Sequence, residues 1–303
     1  MQAQATFDEL RTFWRNAYEQ LVVPDASTPF GSVLETWCGS VLARDSGGSK
    51  TVEALFSRKA PEPFFGRWAN PAGQLCLQDK TVVVLINPGN GIDIEHYTDP
   101  KISTIGRPFW SILKEFYTTG AVSHGDTNHW LPYKPGLRNQ DFDYRVDGKF
   151  FAWGWWEAQW QNMLTAIGQD PGQDPEATFV TLELFAYSSS TANKLNAHAV
   201  EGLHSSRLAS RFIVELLRSS ENRPRGVILV NKTDIWRELL KANEFDLVES
   251  PVLDQAGRPR AHFIHDCSSG RPTDVPAVVL SSAQQMKFPR SGNGAEEIFA
   301  RWR

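Results

Sequence analysis

The run Val82-Val83-Val84-Leu85-Ile86, followed at once by Asn87-Pro88-Gly89-Asn90-Gly91, constrains this chain more than any other stretch. Five consecutive apolar residues rich in β-branched side chains suit a strand buried on both faces of a parallel sheet, which has no solvent side and so needs no alternation. The strand must then stop. Pro88 lacks a ladder donor, and the glycines permit the positive φ that a turn requires. A turn at the carboxyl end of a central strand is where open α/β sheets bind ligands, which makes Asn87 the first candidate for chemistry.

The remaining chain supplies the partners such a strand needs. Residues 7–21 carry Phe7, Leu10, Phe13, Trp14, Ala17 and Leu21 at helical spacing, and 33–42 predict a weaker helix. The two prolines of Pro61-Glu62-Pro63-Phe64-Phe65-Gly66 predict an extended run across a surface. Pro108 starts a helix through Leu113. Further buried strands are expected at 178–187, 226–230 and 276–280, with helices over 195–218 and 234–241 and a hairpin about Asp254-Gln255-Ala256-Gly257. Alternating strands and helices imply an α/β fold, a three-layer α/β/α sandwich around a central, mainly parallel four-stranded sheet. The expected division is an N-terminal helical extension over 1–60 and an α/β/α domain over 61–303, with a tryptophan-rich insertion at about 118–165.

Composition narrows the function classes. A formal charge of −4 over 303 residues excludes a generally basic nucleic-acid coat but leaves room for a local basic groove. No apolar run approaches the roughly 20 residues of a membrane span, and Met1-Gln2-Ala3-Gln4 opens no signal peptide, so a cytoplasmic protein with no membrane partner is expected. Cys38, Cys76 and Cys267 are too scattered for a disulfide framework or a four-cysteine site. The histidines, His96, His124, His129, His198, His204, His262 and His265, form no HExxH or comparable pattern, so neither metal nor organic cofactor is expected.

The Asn87 turn matches neither phosphate-loop pattern, since both G-x-x-x-x-G-K-[ST] and G-x-G-x-x-G are missing, and alone Asn-Pro-Gly is a turn signal. Several segments together say more. Ile86-Asn87-Pro88-Gly89, Phe109-Trp110 opening the next helix, Val230-Asn231-Lys232 after the third strand, and Ser281-Ser282-Ala283 with Phe288-Pro289-Arg290 resemble the uracil-DNA glycosylase superfamily, most closely its mismatch-specific thymine/uracil branch. Asn231 stands where that family has glycine. The resemblance covers about residues 61–116 and 176–303.

Carried onto this chain, the resemblance implies that Asn87 positions the water attacking C1′ of an extruded nucleotide. Pro88, Gly89, Ser281 and Ser282 would pinch backbone phosphates, and Gln284, with Gln285 and Lys287 beside it, would enter the gap left by the base. Ile86, Asn90, Tyr97 and Phe109 would line the base pocket. An enzyme acting on a base must take it out of the stack, at a cost of a few kcal/mol. Asp93 and Glu95 follow closely enough to supply a true base, or they are solvated loop carboxylates. Glu183 interrupts an apolar strand, where an unpaired charge is costly. It fits either the exocyclic amine of cytosine or a structural ion pair.

The expected partner is duplex DNA containing a modified base, met by a monomer. Trp130, Tyr133, Trp153, Trp155, Trp156 and Trp160 lie in the insertion, and aromatic faces among Asp, Asn and Gln suit a sugar. Members of the superfamily include repair enzymes for uracil or thymine mispairs and bacterial anti-phage enzymes that excise glucosylated hydroxymethylcytosine. A bulky glucosylated cytosine is therefore the favoured substrate. The alternatives are a uracil/thymine mismatch-repair enzyme, a catalytically silent nucleic-acid-binding module, and a carbohydrate- or nucleotide-binding protein built on the tryptophans.

Overall fold

The computed structural model describes residues 2–22, 30–61, 63–66, 68–70, 72–86, 109–119, 122–124, 127–129, 145–146, 149–150, 164–165, 168–170, 179–189, 194–219, 221–249, 251–254, 256–281 and 295–302. In chain order the helices are α1 (Gln2–Glu19), α2 (Phe30–Asp45), α3 (Lys50–Glu53), α4 (Phe109–Thr119), α5 (Ala197–Gly202), α6 (His204–Arg218), α7 (Thr233–Lys241) and α8 (Ala295–Phe299). The strands are β1 (Phe64–Phe65), β2 (Thr81–Leu85), β3 (Val122–His124), β4 (Thr127–His129), β5 (Arg145–Val146), β6 (Lys149–Phe150), β7 (Phe179–Glu183), β8 (Gly226–Val230), β9 (Phe245–Leu247), β10 (Val252–Leu253), β11 (Pro259–Asp266), β12 (Arg271–Pro272) and β13 (Ala277–Leu280).

The molecule is α/β, with an open sheet whose centre runs β7-β2-β8-β13, all parallel. These are the four strands expected from sequence. The sheet is larger than four strands, however. Among the described residues it has nine, because β1 adds antiparallel to β7, and β11 adds antiparallel to β13 and carries β9, β10 and β12. Within the Pro61–Gly66 stretch Phe64 and Phe65 are extended as β1, yet this part does not cross a surface: Phe64 pairs with Leu182, and Pro61, Pro63 and Phe64 are buried. The expected helix over 195–218 is two helices, broken at Leu203, which is extended at φ −115° and ψ 127°. In the 118–165 stretch the backbone forms two small antiparallel pairs, β3 with β4 and β5 with β6.

Every residue of β2, β7 and β8 is buried, so each strand must satisfy two apolar surfaces. Alternate residues divide them. Val82, Val84, Val180, Leu182, Val227 and Leu229 join one cluster with Phe7, Leu10 and Trp14 of α1 and Phe212 of α6. Val83, Leu85, Phe179, Ile228, Val230 and Val278 join the other with Ile298, Phe299 and Trp302. Each fully buried valine or leucine stabilises this arrangement by roughly 1.5–3 kcal/mol. The N-terminal helices thus share a core with the sheet, α1 lying against α4 and α6.

Gly226 shows how tightly the second face is closed. A Cβ at this position would overlap the indole of Trp302, which is 3% exposed and meets Phe299 edge-on at 5.5 Å. Gly226→Ala is expected to destabilise the protein by about 1–3 kcal/mol through overpacking. Urea unfolding checks this, and a variant as stable as the parent would mean that the C-terminal indole moves aside freely.

Candidate functional site

The strand order creates a reversal. From β2 the chain crosses to β7 on one side, whereas from β8 it proceeds to β13 on the other. The order of strands therefore reverses between β2 and β8, and the carboxyl ends of strands at such a reversal are where open α/β sheets bind ligands. Ile86 ends the described chain on β2, with 5% exposure, and Asn87 follows it directly. The ladder extends past the strand itself, as Leu184 N–H donates to Leu85 O at 2.8 Å and Phe185 N–H to Ile86 O at 2.9 Å. These bonds fix the point from which the Asn-Pro-Gly turn departs.

At the end of β8, Asn231 and Lys232 both adopt left-handed backbone, with φ of 63° and 50°. A glycine enters this region at no steric cost, and among other residues asparagine tolerates it best. Asn231 is therefore a residue that this backbone accepts. Its Oδ1 accepts from Lys232 N–H at 2.8 Å, and its own N–H donates to Leu280 O at 3.0 Å, so the turn is held to β13. Thr233 Oγ1 then lies 3.3 Å from Ser281 Oγ, linking the first residue of α7 to the residue after β13.

Three expected site residues are thereby placed on one edge. Ile86 and Ser281 follow β2 and β13, and Glu183 ends β7 in register with Leu85. Glu183 is 5% exposed, and its backbone N–H donates to Pro63 O at 2.8 Å. Alternation along β7 puts its side chain on the Phe179 and Thr181 face. Phe109 opens α4, as the proline-initiated helix predicts. Asn87, Pro88, Gly89, Asn90, Asp93, Glu95, Tyr97, Ser282, Gln284, Gln285 and Lys287 lie outside the described residues, as do the tryptophans of the insertion.

Sequence reasoning missed what the β10–β11 hairpin brings to this edge. Ser281 N–H donates to Arg260 O at 2.7 Å, so β11 begins beside the end of β13. The turn is built by Asp254, whose Oδ1 accepts from Ala256 and Arg258 N–H, both at 2.9 Å, while Gly257 takes φ 73°. Backbone donation from Arg258, with the guanidinium bonds of Arg260 and Arg258, lowers the Asp254 pKa to about 2. The carboxylate therefore stays ionised at neutral pH. Asp-x-x-Gly is the only sequence signal of this turn, and it says nothing of which edge the turn will occupy.

Among the described residues no three His, Cys, Asp or Glu side chains gather as a metal site, and no helix is long and apolar enough to cross a membrane. No family model, curated protein or solved structure matches this chain.

Proposed function

We propose that this protein is a monofunctional DNA glycosylase with a uracil-DNA glycosylase-like, three-layer α/β/α architecture, acting as a monomer and without metal or organic cofactor. One observation carries the reading. The segments that resemble the superfamily's motifs, Ile86 before Asn87-Pro88-Gly89, Val230-Asn231-Lys232, and Ser281, follow three adjacent parallel strands and meet at one edge about the reversal in strand order. Adjacent parallel strands bring the segments that follow them to the same edge, so a single site can draw on all three.

The chemistry follows from the residue types. The amide of Asn87 has no useful basicity at neutral pH, so it orients water without deprotonating it. The glycosidic C–N bond must then break largely ahead of attack, with its electron pair leaving on the base, which is protonated as it departs. Water adds its oxygen to the cationic C1′ and releases a proton, leaving an abasic site. Backbone phosphates stabilise the sugar cation, and uncharged donors such as the Ser281 hydroxyl hold those phosphates. Asp93 or Glu95 would accept the proton if the site uses a true base.

The favoured substrate is a glucosylated hydroxymethylcytosine in phage DNA. The tryptophan-rich insertion is far longer than a uracil pocket requires, and Glu183 at the β7 terminus is suited to the exocyclic amine of cytosine. The motif pattern itself favours a second substrate reading, mismatch repair of uracil or thymine. Incubating the protein with ordinary, uracil-containing and glucosylated DNA and scoring abasic sites separates the two. Abasic sites on glucosylated DNA alone are expected. Robust uracil removal without action on the glucosylated base would transfer the assignment to mismatch repair, and tight binding with no abasic sites on any substrate would leave a silent binding module.

A further inference from the structure

The tip of the β10–β11 hairpin carries two arginines to the edge occupied by the candidate site. β11 runs antiparallel to β13 with Ala261 opposite Leu280, so residues preceding Ala261 project beyond the last residue of β13. On the other side of β11, Val252 faces Ala261 and Leu253 faces Pro259, which makes Arg260 the extra residue of a bulge. Bulges bend a strand and re-aim one side chain, and they recur beside active sites.

The re-aimed guanidinium is held in place. Arg260 Nε and Nη2 donate to Asp254 Oδ2 at 3.0 and 2.7 Å, and Arg258 Nε donates to the same oxygen at 3.0 Å. Asp254 is 3% exposed at its side chain, whereas Arg260 is 35% and Arg258 70% exposed. One buried carboxylate thus anchors two guanidinium groups from beneath, leaving a local excess of positive charge whose outer faces meet solvent. Each guanidinium keeps N–H donors beyond those spent on Asp254, in the planar fork that matches phosphate oxygens.

We propose that Arg258 and Arg260 form a phosphate clamp, gripping the backbone of the DNA strand that enters the candidate site past Ser281. The clamp rests on the nucleic-acid reading above. A chain of formal charge −4 has no general attraction for DNA, so affinity must come from cations concentrated where the strand passes. Anchoring by Asp254 supplies those cations with little rotamer freedom left to lose on binding.

Binding of a labelled duplex oligonucleotide, measured by fluorescence anisotropy across a salt series, tests the clamp. The R258Q/R260Q protein is expected to bind about tenfold more weakly, with a slope of log affinity against log salt shallower by about one to two, the effect of losing one or two phosphate contacts. R258K/R260K keeps both charges and should keep the slope. Arg258→Gln alone, at the more exposed position, should lower the slope by about one and serves if the pair fails to fold. Parental affinity and slope in the folded glutamine variants would overturn the clamp while leaving the DNA reading intact. Failure of the parent protein to bind DNA would instead overturn that reading, and the clamp with it.

Discussion

Asn87→Ala is expected to lower base excision on the order of 100-fold or more while leaving the melting temperature close to that of the parent. The size follows from the cost of losing a group that positions a reactant, where misplacement by about 1 Å already costs about 100-fold. Stability should be spared because the last ladder bonds from this residue's strand towards the β7 side are made by the residues before it. Ile86 O accepts from Phe185 N–H, and Leu85 O from Leu184 N–H. DNA binding should persist as well, since the phosphate contacts proposed for Pro88, Gly89, Ser281, Arg258 and Arg260 do not use the Asn87 side chain. Full excision by a folded Asn87→Ala protein would remove Asn87 from the chemistry and pass its role to Asp93 or Glu95.

Asp45→Ala is expected to cost about 2–4 kcal/mol of folding stability. Asp45 ends α2 and caps α6 from a distant part of the chain: Ser205 N–H donates to Oδ1 at 2.7 Å, and Ser205 Oγ and Tyr187 OH donate to Oδ2 at 2.5 and 2.9 Å. Leu203, the residue in the N-cap position of α6, offers no side-chain acceptor, so the cap must come from elsewhere. Alanine would leave buried hydroxyls and a helix-terminal amide without this acceptor. Each such loss costs roughly 1–3 kcal/mol.

The same carboxylate gives a pH signature. Burial pushes the Asp45 pKa above its ordinary 3.8, against the lowering effect of the Ser205 and Tyr187 hydrogen bonds and the nearby His204. A carboxyl group whose folded-state pKa is raised contributes stability fully present below its unfolded pKa and lost as pH rises through the folded value. The stability difference between the parent and Asp45→Asn should therefore shift in the parent's favour on acidification from that raised value towards pH 3.8. Urea unfolding of both proteins across this window reads the difference, in which the other carboxylates cancel. A difference independent of pH would mean that Asp45 does not titrate in the window.

The parallel centre of the sheet was legible because Thr81–Leu85, Phe179–Glu183, Gly226–Val230 and Ala277–Leu280 are short apolar runs bounded by turn residues. The antiparallel flank was legible only at the hairpin expected about residues 254–257, where β10 turns into β11. In β11 the order Arg260-Ala261-His262-Phe263-Ile264-His265 mixes polar and apolar residues, since its two faces are only partly covered, and no clean period results. Pro61 and Pro63 likewise suggested a surface run, whereas β1 is an edge strand, where prolines interrupt no ladder on the outer side.

For the site, Ile86 and Ser281 follow strands whose ends were legible, whereas the strand expected over 178–187 stops at Glu183, which places that residue at the edge instead of within the strand. Arg260 could not be located from sequence, because its place depends on a bulge and on the register of β11 against β13. Asn231 lies between these cases. Its place after the third strand was legible, whereas its left-handed φ of 63°, which asparagine tolerates, was not.

Mass spectrometry of the products released from glucosylated phage DNA tests the central proposal most directly. A glycosylase releases the free glucosylated base and leaves a strand of unchanged length carrying an abasic site, and Asn87→Ala releases neither. Release of nucleotides or shortened strands would identify a nuclease, and an unaltered substrate bound by folded protein would deny catalysis at this site.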